Sequence, residues 1–151
     1  MKRIKLLAVA IFVTILFTTG CGAEKTLTCT NTQEASGVKM NQEVVMKFKK
    51  DKINYVKMTV SSKATSDLIK NNWDLFATTM DKQYTNKNSD GVKLTTKNNK
   101  AKYSYDIILE VNLEKASKDS LSEYGLSSIV GDTSTMSEVK KDAEKDGFTC
   151  K

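Results

Sequence analysis

A cysteine that can be lipidated carries the clearest chemistry in this chain. Cys21 follows Thr19-Gly20 at the end of an apolar run from Leu6 to Phe17, and this run begins after the basic residues Lys2, Arg3 and Lys5. A basic start, an apolar stretch and small residues before a cysteine are typical of a bacterial lipobox. The thiol of Cys21 would receive a diacylglyceryl group, and a signal peptidase would cut the chain just before it.

The lipobox predicts both the processing and the location of the protein. We expect a cleaved signal peptide at residues 1–20, a lipidated N-terminus and linker at residues 21–25, and one domain at residues 26–151. The lipid on Cys21 would hold the protein on the extracytoplasmic face of the cell membrane. Plain secretion and an uncleaved signal anchor are the alternatives. Thr18 departs from the lipobox pattern, because lipoprotein signals usually carry Leu at this position. A signal anchor is disfavoured because it needs a longer apolar run of about 18–20 residues.

Two further cysteines lie at opposite ends of the mature chain. Cys29 stands in the segment Leu27-Thr28-Cys29-Thr30, and Cys150 is the penultimate residue. An even number of cysteines in an exported chain predicts a disulfide. Closing a loop of this length would stabilise the fold by about 4–5 kcal/mol. Two unpaired buried thiols are the alternative, and a metal site is disfavoured because the chain has no histidine and no C-x-x-C spacing.

The remaining composition excludes several classes of function. Without histidine, no imidazole can activate a serine or cysteine nucleophile. The carboxylates are scattered among lysines as on a solvated surface, so we predict no catalytic residue and no cofactor. Three of the 24 basic residues leave with the signal peptide, so 21 remain against 18 acidic residues and the net charge is +3. The only arginine, Arg3, also leaves, and we expect no nucleic-acid partner.

One spacing is similar to the start of a calcium loop. Asn86, Asn88 and Asp90 supply oxygens at positions 1, 3 and 5, and Gly91 occupies position 6. Position 12 should be a bidentate glutamate, but it is Lys97. We therefore predict an ordinary polar turn in this segment and no metal site.

Alternating apolar residues predict the strands of one antiparallel sheet. The segments Met40–Phe48 and Ile53–Val60 alternate with a period of two and should form a β-hairpin. The strongest alternation covers residues 103–113, which should form a central strand. Shorter strands are predicted at Val92–Thr96 and at the two cysteines.

Two stretches with helical spacing complete an α+β domain. Ile69, Trp73, Phe76, Met80 and Tyr84 form an apolar stripe on a helix that should run from about Ser66 to Tyr84. Thr135 and Glu138 fit a capping box, and the helix they begin should end at Lys145 or Asp146. The predicted fold is therefore a single antiparallel β-sheet with two main α-helices packed on one face.

Two further groups of residues allow more than one interpretation. The lysines of the hairpin could face anionic lipid headgroups or envelope polymers, or they could simply keep a sheet edge soluble; they are Lys47, Lys49, Lys50, Lys52 and Lys57. Five methionines on apolar faces could line an adaptable pocket or fill the core; they are Met40, Met46, Met58, Met80 and Met136. Trp73 lies in the apolar stripe, which favours a role in the core.

The order of these elements resembles the small YehR-like bacterial lipoproteins, a domain family of unknown function. The resemblance covers the mature chain and rests on the lipobox cysteine, Leu-Thr-Cys-Thr, the Met-Asn-Gln-Glu-Val hairpin segment and the closing stretch Ser137–Lys151. It implies an α+β envelope lipoprotein without established enzymatic activity. No catalytic residue is carried over from the family, and the pair Cys29 and Cys150 is typical of only a subgroup.

Taken together, these features predict a non-catalytic binding or interaction module of the cell envelope. Its partners would be the membrane, through the lipid on Cys21, and an envelope protein or a small lipophilic ligand. The alternative is an envelope enzyme or enzyme inhibitor that uses carboxylates or lysines of the sheet. A pocket lined by apolar side chains would favour the first interpretation, and two carboxylates about 5–9 Å apart in a cleft would favour the second.

Overall fold

The computed structural model of the chain describes residues 23–85, 87–124, 126 and 134–151. The predicted signal peptide and the lipidation site Cys21 lie outside these residues. Within them, seven strands form one sheet and four α-helices accompany it, which confirms the predicted α+β fold. The strands are β1 (Lys25–Ala35), β2 (Val38–Lys49), β3 (Lys52–Ala64), β4 (Lys87–Ser89), β5 (Val92–Asn99), β6 (Ser104–Asn112) and β7 (Thr149–Cys150). The helices are α1 (Asp67–Asn71), α2 (Trp73–Gln83), α3 (Lys118–Glu123) and α4 (Met136–Lys145), with a 3₁₀ turn at Lys100–Lys102.

The sheet has the order β4-β5-β6-β3-β2-β1-β7, and all neighbouring strands are antiparallel. The first three strands are joined by two-residue turns at Ser36–Gly37 and Lys50–Asp51. All four turn residues have positive φ, with values of 52° and 77° in the first turn and 52° and 60° in the second. Turns of this kind match the right-handed twist of the strands that they join. The predicted hairpin is therefore confirmed, and β1 begins one residue inside the predicted linker.

Both longer helices cover the same face of the sheet. Side chains on one face recur at every second residue of a strand, so Tyr105 and Val111 of β6 point to the same side. Val111 stands across from Val56 of β3, Val56 across from Met46 of β2, and Met46 across from Leu27 of β1, so these four side chains form one row on this face. The α2 helix packs with Tyr105, and α4 packs with Leu27. On this apolar face, α2 thus lies towards the end of the strands that contains Tyr105, and α4 lies towards the opposite end.

The α2 helix is fixed to the sheet by a buried aromatic residue and two polar contacts. Trp73 is only 1% exposed and donates from Nε1 to Asn98 Oδ1 at 3.1 Å. The hydroxyl of Tyr105, also buried, donates to Asp81 Oδ1 at 2.5 Å. Burial and this hydrogen bond raise the pKa of Tyr105. These contacts pair the polar atoms that the cluster buries.

The predicted helix from Ser66 to Tyr84 is in fact two helices. Ser66 caps α1 by accepting a bond from the Ile69 amide at 3.4 Å. The chain then breaks at Asn72, where φ is −106° and ψ is 20°, and α2 begins at the next residue. Asn72 donates from Nδ2 to the carbonyl of Leu68 at 2.8 Å. Asparagine competes in this way with regular helical backbone bonding, which explains the break.

Two further predictions need correction at element boundaries. Tyr103 was expected within the central strand, but it precedes β6 in the left-handed region with φ 47° and contacts Trp73 edge-on at 6.1 Å. The polar turn expected at Asn86–Gly91 begins with Asn86, which lies outside the described residues; of the rest of the segment, Lys87–Ser89 forms strand β4 and Asp90 and Gly91 turn the chain. Gly91 has φ 72°, and a Cβ there would lie 2.4 Å from the backbone nitrogen of Ala116. Only glycine fits this turn.

The C-terminal helix follows the sequence prediction closely. Thr135 accepts from the amide of Glu138, and the carboxylate of Glu138 accepts from the amide of Thr135 at 2.8 Å, so the capping box is complete. Gly147 follows the helix with φ 85°. The amide of Phe148 then donates to the carbonyl of Ala143 at 3.0 Å, which directs the chain into β7.

Replacing Trp73 by Ala should destabilise the fold far more than replacing Leu75 by Ala on the same helix. Truncation of a buried tryptophan costs about 3–5 kcal/mol, whereas Leu75 is 69% exposed and should change the free energy of unfolding by less than about 0.5 kcal/mol. Chemical denaturation of both variants measures the difference. Equal denaturation midpoints for Trp73→Ala and the wild type would contradict a core role for Trp73.

Candidate functional site

A pocket lies between α4 and the strands β1 and β2. Its volume is about 320 Å³. Strand residues and α4 supply most of its apolar lining, which comprises Cys29, Val44, Met46, Val139, Ala143 and Phe148. The polar lining comprises Ser134, Asp142 and Asp146.

The spacing along α4 explains why one side of the pocket is apolar and the other is acidic. Val139 and Ala143 are four residues apart, so they lie on one stripe of the helix and both are half-buried. Asp142 and Asp146 have the same spacing and form the adjacent stripe. The carboxylate of Asp142 is 70% exposed and accepts from Lys145 Nζ at 2.7 Å. The pocket therefore has an apolar floor and a solvated acidic rim.

The disulfide forms part of the pocket wall and confirms the predicted pairing. Cys29 and Cys150 are bonded and stand directly across from each other where β1 pairs with β7. Two backbone bonds between Thr28 and Lys151, of 3.0 and 2.9 Å, extend this pairing. None of the α4 side chains is fully buried. The closure of α4 over the pocket thus depends on β7 and the disulfide as well as on the packing of Met136, Val139 and Ala143 against the core cluster.

An apolar strip continues from the pocket towards α2. Val44, at the pocket, stands across from Met58, and Met58 from Leu109. Val60 lies two residues further along β3 on the same face, across from Ile107. Met58 is 37% exposed. We call Val44, Met58, Val60, Ile107 and Leu109 the central strip, because it connects the cluster under α4, against which Val44 and Leu109 pack, to the cluster under α2, against which Ile107 packs.

Four of the five methionines divide between the two roles that the sequence left open, and the fifth, Met40 of β2, is half-buried and belongs to neither group. Met46 lines the pocket and Met58 lies in the central strip. Met80 packs against the cluster around Trp73, and Met136 packs against the cluster beneath α4. A Met-lined surface therefore exists, but it contains two of the five residues.

The opposite face of the sheet is polar and carries a second groove. This groove has a volume of about 300 Å³ and is lined by Thr30, Asn31, Thr32, Asn41, Gln42, Glu43, Thr59 and Ser61. Thr32 already donates to Asn41 at 2.9 Å. Further along this face, burial and the hydrogen bond to Glu110 raise the pKa of Tyr55 to about 12. The lining of this polar groove lacks the apolar floor of the α4 pocket. The α4 pocket is therefore the better candidate for small-molecule binding.

The acidic rim does not have the features of a general acid pair. A carboxylic acid that protonates a substrate near neutral pH is usually buried in an apolar environment, whereas Asp142 is solvated and ion-paired. The same hydrogen bond to Asp142 raises the pKa of Lys145. Among the described residues, no group of three or more histidine, cysteine or carboxylate side chains has the proximity needed to hold a metal ion.

A solved structure shares this fold. The NMR structure of a protein from Streptococcus pneumoniae TIGR4 aligns with a TM-score of 0.55 and 14% sequence identity, and the alignment covers 100% of this chain and 99% of that one. At this identity the similarity shows the fold alone. No protein-family profile matches the chain, and no curated protein matches it in sequence. Within the described part of the chain, none of the helices has the length and apolar character that a membrane span requires.

Replacing Cys150 by Ser should both weaken the fold and release α4. Loss of the 121-residue cross-link should lower the free energy of unfolding by about 4 kcal/mol. Because α4 has no fully buried side chain, its amides should lose more protection from hydrogen exchange than those of α2, which serve as the internal control. Equal loss of protection in both helices would contradict a specific role of the disulfide in closing the pocket.

Proposed function

We propose that this protein is a lipid-anchored module of the cell envelope that binds a small amphiphile in the α4 pocket without chemical turnover. The pocket is the observation that carries this proposal, because it combines an apolar floor with a few polar groups at its edge. Its volume of about 320 Å³ lies at the lower end of the range of about 300–1,000 Å³ typical of ligand sites. The ligand would therefore be small.

The charges at the rim favour a ligand with a cationic head. Asp142 and Asp146 both line the pocket, and Lys145, which pairs with Asp142 at 2.7 Å, is not part of the lining. With this lysine counted, the rim keeps a net charge of −1. Each contact with an exposed carboxylate would contribute at most about 1 kcal/mol, because solvent screens such pairs. Most of the affinity would come from burying the apolar body of the ligand against Val44, Met46 and Val139, at about 25 cal/mol per Å².

The envelope location in this proposal is supported by the lipobox at Cys21 and by the resemblance to YehR-like lipoproteins. The disulfide agrees with this location, because such bonds persist outside the reducing cytoplasm. The absence of histidine and the solvated state of the rim carboxylate support binding rather than hydrolysis. An enzyme or enzyme inhibitor that uses this rim is the alternative outcome of the tests below.

Replacing Cys21 by Ala should abolish lipid attachment. Cells labelled with a radioactive fatty acid should yield a labelled wild-type protein and an unlabelled Cys21→Ala variant. The wild-type protein should partition into a detergent phase, and its mass should show a chain that begins at Cys21. Label that persists in Cys21→Ala would contradict this part of the proposal.

The ligand class can be tested with short amphiphiles of opposite charge. We use residues 21–151 with Cys21 replaced by Ser, so that no lipid or detergent interferes, and titrate hexyltrimethylammonium and hexyl sulfate by NMR. Shifts should be concentrated at Val139, Ala143 and Met46, and the cation should bind about tenfold more tightly, which corresponds to about 1.4 kcal/mol.

Matched variants on α4 separate the rim charges from general effects. Asp142→Asn combined with Asp146→Asn should remove the preference for the cation, whereas Glu144→Gln, which lies on the same helix but does not line the pocket, should retain it. Equal binding of both amphiphiles by the wild type would contradict the cationic ligand. Hydrolysis of an envelope polymer that is lost in Asp142→Asn would favour the enzyme.

A further inference from the structure

The start of β1 places one end of the domain next to the predicted membrane anchor. Lys25, the first residue of β1, is four residues from Cys21, and an extended chain of that length spans at most about 14 Å. The same end of the sheet contains the β2–β3 turn and the C-terminal end of β6. We call residues 23–25, 47–52 and 112–116 the basic end.

The basic end carries most of the net charge of the mature chain. It contains six lysines and three carboxylates, for a net charge of +3; they are Lys25, Lys47, Lys49, Lys50, Lys52 and Lys115, with Glu24, Asp51 and Glu114. The mature chain as a whole has 21 basic and 18 acidic residues. Asp90, in the β4–β5 turn beside Ala116, also lies at this end of the sheet and lowers its net charge to +2. Two of the three excess positive charges of the mature chain are therefore concentrated at the end nearest to the lipid.

The three carboxylates of the basic end are already paired. Glu24 accepts from Lys47 at 2.9 Å, and hydrogen bonds from Lys47 and Asn54 lower its pKa. The other two carboxylates pair with lysines of the same end, at 3.5 Å for Lys25–Asp51 and 3.3 Å for Lys49–Glu114.

Three lysines of the basic end remain available for an external anion. Lys50, Lys52 and Lys115 are exposed, and none of them has a carboxylate of a described residue within 4 Å. Lys50 stands at the outermost point of the hairpin, in the β2–β3 turn. Such a surface can accept negative charge without breaking the internal ion pairs.

We propose that the basic end rests on anionic phospholipid headgroups and so orients the anchored domain with its strands leading away from the membrane. This inference rests on the lipidation of Cys21 proposed above. Lysines within a Debye length of about 8 Å of such a membrane are attracted by its negative surface potential. The short linker between Cys21 and β1 keeps the β2–β3 turn close to the membrane surface. The lipid supplies attachment, and the lysines supply orientation.

This orientation has a consequence for the ligand pocket. Cys29 of the pocket lining is four residues along β1 from Lys25, a rise of about 13 Å. The turn at Ser36–Gly37, at the other end of β1, lies about 35 Å from Lys25 by the same rise per residue. The pocket would therefore lie just above the headgroups, and the opposite end of the sheet would point away from the membrane.

Lysine reactivity on vesicles tests the orientation. The mature lipidated protein is reconstituted on vesicles of phosphatidylcholine alone or with about a third phosphatidylglycerol, and its lysines are acetylated and quantified by mass spectrometry. We expect Lys50, Lys52 and Lys115 to react at least threefold more slowly on the anionic vesicles, and 0.5 M salt should remove the difference. Lys100 and Lys102, at the opposite end of the sheet, should react equally on both.

Charge-reversal variants distinguish the basic end from a general effect of the bilayer. Lys50→Glu combined with Lys52→Glu should abolish the protection of Lys115, whereas Lys100→Glu combined with Lys102→Glu should leave it intact. Protection of the same size on neutral and anionic vesicles would overturn the proposal, as would protection in Lys50→Glu/Lys52→Glu equal to that of the wild type.

Flotation with phosphatidylcholine vesicles separates failure of the anchor from failure of the basic end. A protein that does not float with these neutral vesicles lacks the proposed lipid, whatever the lysines show. In that case, slower acetylation of Lys50 and Lys52 on anionic vesicles would still support contact between the basic end and headgroups. Unchanged acetylation there would overturn it.

Discussion

The pairing of a two-residue strand with β1 determines where α4 lies, and the pocket depends on it. The disulfide between Cys29 and Cys150 fixes this pairing covalently. The α2 helix needs no such bond, because Trp73 is buried and its indole is hydrogen-bonded to β5. In contrast, α4 presents only half-buried side chains such as Val139 and Ala143. The α2 helix is therefore fixed to the sheet by a fully buried side chain, whereas α4 packs with half-buried side chains and is attached to the sheet through β7 and the disulfide.

The second constraint is that only one face of the sheet is apolar, while the two longer helices are too short to cover all of it. Antiparallel pairing aligns the apolar residues of neighbouring strands, so the face is continuous from β1 to β5. The helices α2 and α4 have 11 and 10 residues and lie towards opposite ends of it. Between them, Met58 of the central strip stays exposed, whereas its neighbours Val44, Leu109 and Ile107 pack against the two clusters. An incompletely covered apolar face is a common origin of binding grooves.

Sequence periodicity predicted the elements better than it predicted the site. A period of two identified the β2–β3 hairpin and β6, because both strands bury one face and expose the other. The helix break at Asn72 was missed because Ile69 and Trp73 pack inwards on both sides of it, so the apolar stripe continues. The polar edge strand β4 has no alternation to detect. The pocket joins β1 and β2 to α4 across about a hundred residues, and no local pattern encodes that contact. The cysteine pair indicated that β1 meets the C-terminal segment, and the spacing of Val139 and Ala143 indicated the apolar side of α4; neither signal predicted a pocket.

In the proposed orientation, the distribution of charge would relate the pocket to the membrane. The basic end is positive, whereas the pocket rim is acidic, and the two lie on neighbouring parts of the domain. An anionic bilayer would attract Lys50 and Lys52 and would also concentrate cationic amphiphiles at its surface. Such molecules would be drawn away from the lysines and towards Asp142 and Asp146. With opposite charges at the two surfaces, the domain could contact anionic headgroups without filling its pocket with the lipids on which it stands.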